Sequence, residues 1–558
     1  MTGVAFTARL RPAAGALGRS ADRVASHFVV ALAVVVGVQM VLTLILFLSV
    51  EHNGWLTYQG GDQIWLVTSG WLLGQGTLPY ALVGPAWPVL VTPLTWITGA
   101  SSVQLLPLTT TLQVCVLGPI ATLAVYDIAT RLAGRAAGIW CASAWVLAPF
   151  LAIPLFVDRY QERWTDQVLV QALGLTQLAD YPSMVVVLVS AALVVRSLDE
   201  RSLREAVLGG SLAGLAIGLK PANMLFLIGV GCAYVLARRW RTALVFSLAL
   251  LPAIVTLTIW KQRGTGTIPL FTLDETRVAA SSLHASVLPL AEGFWTRFPL
   301  DLEDWKRNMS NLREFFWSAR LAQWVPLAGA FAVARRSLPG AGLLLGWAFG
   351  YIAVKGSSNV AGIENASFWR LVMPALPAYV MLAAAIPLLV PTLPRRLGAR
   401  IAAAAPTRRP GRRLVIAVVA TLAVVPTAVV LAATPSTGSA KAIEVNGILV
   451  PVDGGTVTLT VQRQGTAARL TWTDATARAD TFYRVFRTQG PGADAVCSGA
   501  GSERCELEMI TLATTRDRVF VDSSPEAGVT YRIGVAANWL DDPEQGDVFA
   551  LSPPVVAR

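Results

Sequence analysis

The chain has 558 residues, 54% hydrophobic and only 14% charged, with a mean hydropathy of +0.56. A soluble globular protein carries roughly 25% charged residues, so the composition excludes one and identifies a polytopic membrane protein. The net charge of +11 does not indicate nucleic acid, because the Arg clusters fall in short loops between apolar runs, which is the positive-inside pattern.

The expected architecture is an α-helical polytopic membrane domain of about eleven spans, 28–433, followed by an all-β sandwich. Arg9, Arg11, Arg19 and Arg23 precede the first apolar run. They read as a cytoplasmic segment, 1–27, before a retained signal-anchor helix at 28–50. After it, no Lys or Arg occurs until Arg131. The Gly-, Pro- and Trp-rich stretch 51–102 is read as an outer loop with interfacial helices near 64–73 and 88–97. Helices are then expected at 103–126, 137–156 and 181–195, with a polar outer segment at 157–181 between the last two. Further helices are expected at 206–219, 222–237 and 242–260. A long outer loop of mixed charge, 261–320, comes next. Helices at 321–334 and 340–354, an outer loop at 355–367, and helices at 368–390 and 414–433 complete the domain. The Arg-rich linker 393–413 is the strongest inside signal. No internal repeat is visible, which disfavours an inverted-repeat transporter.

From 434 the composition changes. Residues 434–450 read as a linker. Alternating segments at 456–461, 468–473, 482–487, 506–512, 518–521 and 530–536 suit a small extracytoplasmic β-sandwich over 451–558. Cys115, Cys141 and Cys232 lie in apolar runs and read as small buried hydrophobes. Cys497 and Cys505 lie in the polar tail and are candidates for a local disulfide, with two free thiols as the alternative.

Few charges sit where they are costly. Asp62, in Gly60-Gly61-Asp62-Gln63, is a candidate general base at the outer face. It could equally cap a helix, and the two roles can coexist. Lys220, in Gly218-Leu219-Lys220-Pro221, falls at an outer turn, either gripping a phosphate or snorkelling from a helix end. Arg370, in Phe368-Trp369-Arg370, opens an outer helix end, as a bidentate phosphate ligand or an interfacial anchor. Asp180 precedes Tyr181-Pro182. It could orient an acceptor, pair with a site cation, or cap the helix. Asp158, Arg159, Arg163 and Lys355 are further outer charges that could line a site. His27, His52 and His284 show no zinc spacing, and no Walker motif occurs; no metal or cofactor is expected.

In order, the chain shows an Asp after the first helix, Leu78-Pro79-Tyr80 and Gly84-Pro85-Ala86-Trp87-Pro88, Asp180-Tyr181-Pro182, Gly218-Leu219-Lys220-Pro221, and Trp369-Arg370 before Pro374 and Pro377. Over about 28–390 this resembles the GT-C superfamily of integral membrane glycosyltransferases, particularly the bacterial members related to protein mannosyltransferases and lipid A aminoarabinose transferases. The resemblance implies a polyprenyl-phosphate-sugar donor, Asp62 as the catalytic acid of the first loop, and Lys220 and Arg370 as cations near the lipid phosphate. Asp62 lacks the paired acidic neighbour of many members, so metal independence is expected. Arg469-Leu470-Thr471-Trp472, Tyr483-Arg484-Val485 and Gly528-Val529-Thr530-Tyr531 resemble a fibronectin type III domain, which implies a core Trp and a tyrosine corner.

The expected activity is inverting transfer of a sugar to an envelope glycan, glycolipid or protein at the outer face of the plasma membrane, with membrane lipids and the lipid donor as partners. The alternatives are a non-catalytic envelope assembly protein and a flippase or transporter of a lipid-linked substrate.

Overall fold

The structure is a computed structural model. It describes residues 27–49, 51–52, 55–56, 61–79, 84–98, 102–155, 157, 174–262, 266–267, 301–315, 319–357, 367–390, 424–425, 427–429, 436–437, 442–445, 448–451, 457–475, 477, 481–488, 495–497, 505–523, 525, 527–537 and 547–557.

Among the described residues, seven helices are long and apolar enough to cross a bilayer, and two shorter apolar helices cover 221–236 and 324–334. In chain order, α1 (Phe28–Ser49) is followed by α2 (Gly61–Gly74) and α3 (Ala86–Thr98). The next span joins α4 (Ser102–Leu112), a π-helical turn (Gln113–Leu117) and α5 (Gly118–Ala133). Then come α6 (Arg135–Ala152), α7 (Asp180–Asp199) and α8 (Leu203–Leu219). A 3-10 turn (Pro221–Leu225) leads into α9 (Phe226–Leu236), followed by α10 (Trp240–Gln262). After α11 (Leu302–Phe315) come α12 (Ala319–Ala334) and α13 (Leu338–Lys355). The last expected inner-going helix is broken into α14 (Ser367–Val372), a 3-10 turn (Met373–Ala375) and α15 (Leu376–Ala385). Most of the expected helix 414–433 and the Arg-rich linker before it lie outside the described residues.

Local chemistry sets several boundaries. α5 ends at Gly134, whose φ of 95° suits a residue without Cβ. α8 opens on Ser202, whose hydroxyl accepts from the Glu205 amide, and Ser337 does the same for Gly340 at the start of α13.

Small residues let the helices meet closely, as expected where lipid gives no hydrophobic drive between them. Gly210 and Gly214 of α8 face Phe246 and Ala253 of α10, and a Cβ at Gly210 would meet the Phe246 carbonyl at 2.3 Å. Gly342, Gly346 and Gly350 of α13 line up against α9, meeting Gly229 at the centre. The continuous core runs through α5, α6, α7, α9, α12, α13 and α15, with Trp145, Tyr234, Trp347 and Tyr351 at its centre.

The bundle has two chemically different ends. At one, Asp127 accepts from Arg131 (3.4 Å) and Arg196 (2.9 Å), and Arg131 also pairs with Glu200 at 2.9 Å. The other end carries Asp180, Lys220, Lys355 and Arg370 at or beside helix termini. There the first and third long loops pair as two-residue strands, Thr77 opposite Thr267 and Leu78 opposite Gly266. Helix α2 also touches the tail strand Ile510–Thr515. The described parts of the first and third loops and of the tail therefore meet at this end of the bundle.

In the tail, the strands Val457–Gln464, Ala467–Asp474 and Val519–Asp522 form one antiparallel sheet. It faces a second sheet of Ile510–Thr515, Thr481–Arg487, Thr530–Ala537 and Asp547–Leu551, with Val555–Val556 paired to Thr530–Ala537. Leu470, Trp472, Tyr483, Val485, Tyr531, Ile533 and Val535 fill the space between them. Trp472 meets Tyr483 edge to face, with centroids 5.5 Å apart.

Two sequence expectations need correction here. Residues 442–451, read mostly as linker, form the strands Ala442–Val445 and Ile448–Pro451. They join Ser436–Thr437, Ala495–Cys497 and Cys505–Leu507 in a third sheet, whose Ile443, Val450 and Leu507 bury Phe482, Phe486 and Val548. The central sheet is thus covered on both faces, which is why Thr481–Arg487 lacks a solvent-facing alternation. The segment 506–512, read as one strand, divides between two sheets at Glu508-Met509. In addition, the Tyr531 hydroxyl donates to the Asp522 carboxylate at 2.7 Å, where a tyrosine corner bonds to backbone.

Candidate functional site

Lys220 sits at a helix discontinuity. Pro221 disfavours helical geometry for the residue before it, and Lys220 is extended (φ −143°, ψ 109°) between α8 and the 3-10 turn. The break is stabilised by Asn223, which donates to the Ala216 carbonyl at 2.7 Å and accepts from the Tyr351 hydroxyl at 2.7 Å. Arg370 sits one turn before a second break, where the Pro374 carbonyl accepts from the Trp347 indole at 2.7 Å. Broken helices with satisfied backbone are the form irregular structure takes at membrane depth.

The two breaks meet at Asp180. Its carboxylate accepts from the Lys220 ammonium through one oxygen and from Arg370 Nη2 at 3.4 Å through the other. Lys220 also donates to the Arg370 carbonyl at 3.1 Å. Lys355, the last residue of α13, lies within electrostatic range of Lys220. One carboxylate thus bridges two cations, with a third cation near one of them. The Asp180 side chain is only 4% exposed, while Lys220 and Arg370 keep 18% and 21%. An incoming anion would meet the cations and not the carboxylate.

Asp180 does not cap its helix. Ala179 occupies the cap position, with no side-chain cap bond, and the carboxylate is spent on the two cations. Asp62 lies inside the first turn of α2, which begins at Gly61, and so past the cap position that is the alternative reading for it. Its side chain lies outside the described residues, as do Asp158, Arg159 and Arg163 entirely. Cys497 and Cys505 are opposite each other in the backbone register of adjacent antiparallel strands; their side chains lie outside the described residues.

The loop after α1 reaches this cluster. Gly84 lies against the Gly218 carbonyl, where a Cβ would come within 2.0 Å. Leu66, Val67, Trp87, Val91, Leu178, Ala179 and Leu219 form one apolar cluster beneath the site. Helix α11 covers the far side: Trp305, Met309 and Leu312 pack on Phe368 and Val372, and Asn308 donates to the Gly356 carbonyl at 2.8 Å.

Sequence reasoning missed the polar residues that hold these segments, namely Gln63, Trp87, Gln113, Asn223 and Tyr351. The available signal was an amide inside an apolar run. Gln113 is buried in a spanning segment, and such a group needs a partner there. Among the described residues no group of three His, Cys, Asp or Glu side chains could hold a metal ion.

No family model and no curated protein matches the chain. Among solved structures, it matches the apo oligosaccharyltransferase of Archaeoglobus fulgidus at 14% identity and a TM-score of 0.37, over 71% of this chain and 55% of that one. The same enzyme with zinc and sulfate matches at 15% identity and 0.35, over 71% and 52%. The chain spans about half the length of the structures it matches.

Proposed function

We propose that the protein is a membrane glycosyltransferase of the GT-C type. It moves a sugar, with inversion, from a polyprenyl-phosphate donor to an envelope glycan, glycolipid or protein at the outer face of the plasma membrane. The observation that carries this reading is the cluster in which buried Asp180 aligns Lys220 and Arg370 with their outer edges exposed. A prenyl phosphate lying at the headgroup plane presents its anion at a helix end. Two oriented cations there favour a phosphate that gains negative charge as the sugar leaves.

In this reading Asp62 is the general base that takes the proton of the acceptor hydroxyl. Lys220 and Arg370 hold the donor phosphate, Lys355 adds positive potential, and Asp180 positions the two cations. Asp158 and Arg159 line the acceptor side, and no metal or cofactor takes part. In the same reading, supported by the positive-inside pattern, the N-terminus is cytoplasmic and the tail lies outside. The tail is read as a fibronectin type III-like module, enlarged by its third sheet, with Cys497 and Cys505 joined. It would bind glycan or a partner protein.

The test is binding of farnesyl phosphate to the full chain in detergent, alongside consumption of synthetic farnesyl-phosphate-linked hexose and pentose. The expected result is binding that Lys220→Ala and Arg370→Ala each weaken at least tenfold, with transfer lost in both. Farnesyl phosphate binding equally well to wild type and both variants would remove the reading, and leave the assembly-protein alternative.

A further inference from the structure

The segment just before Asp180 is buried but belongs to no helix. Thr176 and Gln177 are 1% and 0% exposed, so their peptide groups cannot reach water and need partners within the protein. Those partners are three side chains from three different elements. Gln63 of α2 accepts from the Gln177 amide at 2.7 Å. Gln113, the first residue of the π-helical turn, donates to the Thr176 carbonyl at 2.6 Å. Trp87 of α3 donates to the Gln177 carbonyl at 2.8 Å.

The first two bonds grip the two ends of a single peptide unit. The third fixes the next carbonyl. Helix propensity and apolar packing alone would not demand this arrangement. A Leu at position 63 or 113 would suit the surrounding apolar cluster better, whereas a buried amide is costly unless bonded. The π-helical turn also fits, since such turns re-aim a side chain and gather at functional sites.

Gln63 is the residue after Asp62. Through one side chain and three residues of backbone, it ties the first turn of α2 to Asp180. Bond lengths along that path keep the Asp62 and Asp180 Cα atoms within about 24 Å. We propose that Gln63, Trp87 and Gln113 form a positioning clamp on the 176–177 backbone, which sets Asp62 of the first-loop helix relative to the Lys220–Asp180–Arg370 cluster.

This rests on the reading of Asp62 as the base. The clamp touches neither cation, so loosening it alters how the base approaches the donor and leaves the phosphate grip intact. Gln63→Leu removes the acceptor, while Gln63→Glu keeps a side-chain oxygen in its place.

The experiment uses the full chain in detergent with three readouts: hydrogen exchange of peptides covering 61–66 and 174–180, farnesyl phosphate affinity, and kcat on farnesyl-phosphate-linked hexose and pentose. Gln63→Leu is expected to speed exchange in both peptides and lower kcat at least tenfold. Farnesyl phosphate affinity should stay within about twofold, and Gln63→Glu should recover most of the loss. Unchanged exchange, unchanged kcat, or a parallel fall of kcat and affinity in Gln63→Leu overturns the clamp. If wild type neither binds nor consumes the probes, the proposed function falls, and the clamp is then judged by exchange alone, where coupled deprotection of the two peptides upholds it and independent behaviour ends it.

Discussion

Replacing Asp180 by Asn is the most searching perturbation of the cation cluster. The carboxylate is almost wholly covered and bonded to both Lys220 and Arg370, so Asp180→Asn leaves two partly buried cations facing each other. Removing one member of a buried ion pair costs on the order of 3–5 kcal/mol; the remaining exposure of both cations lowers this to about 2–3 kcal/mol. The effect on anion binding has the opposite sign. A phosphate resting on both cations would lie about 5 Å from the Asp180 carboxylate, a repulsion of about 3 kcal/mol at an effective dielectric of 20. Halved for the solvent at the open edge, that is about 1.5 kcal/mol, or roughly tenfold in affinity. Asp180→Asn should therefore melt at lower temperature, bind farnesyl phosphate about tenfold more tightly, and regain more stability from saturating ligand than wild type does. Thermal unfolding with and without farnesyl phosphate, together with titration calorimetry, reads all three. A variant as stable as wild type with unchanged affinity would refute the bridging role.

Asp62→Asn should lower sugar transfer about 100-fold or more while farnesyl phosphate affinity stays within about twofold, measured by steady-state kinetics and calorimetry; a matching fall in affinity would place Asp62 in binding and not in proton transfer. Gly84→Ala forces a Cβ to within 2.0 Å of the Gly218 carbonyl and should destabilise by about 1–3 kcal/mol. Gly37→Ala, with nothing near its Cβ, should unfold like wild type in the same thermal assay. Burial first, and then the Asp522 carboxylate, hold the Tyr531 phenol above its ordinary value. A raised native value stabilises the fold fully below about pH 10, the unfolded tyrosine value, and is lost as pH rises beyond it. Tail unfolding followed by tryptophan fluorescence should therefore steepen its decline above that pH, and Tyr531→Phe should flatten it.

The elements were legible where periodicity or length was strong. The apolar runs expected at 28–50, 181–195, 242–260 and 340–354 return as helices with ends moved by a few residues. The cations Lys220 and Arg370 stood out because each is a charge beside a membrane-length apolar segment. The third sheet of the tail was not legible. Its strands are two to four residues long, too short for alternation to register. The Gln63, Trp87 and Gln113 contacts were equally hidden, since amide and indole partners separated by 63 to 114 residues leave no local pattern.

Sequence alone therefore determined that this is a many-span membrane protein with a β-rich tail, because hydropathy and the strand period are local properties of the chain. The meeting of Lys220 and Arg370 on one buried carboxylate was decided by tertiary structure. Asp180 lies 40 residues from one cation and 190 from the other, and only the glycine-mediated packing of α8, α9 and α13 and the two helix breaks bring them together. Short-range chemistry writes the helices; the desolvation of a few distant charges, which no local window contains, selects how their ends converge.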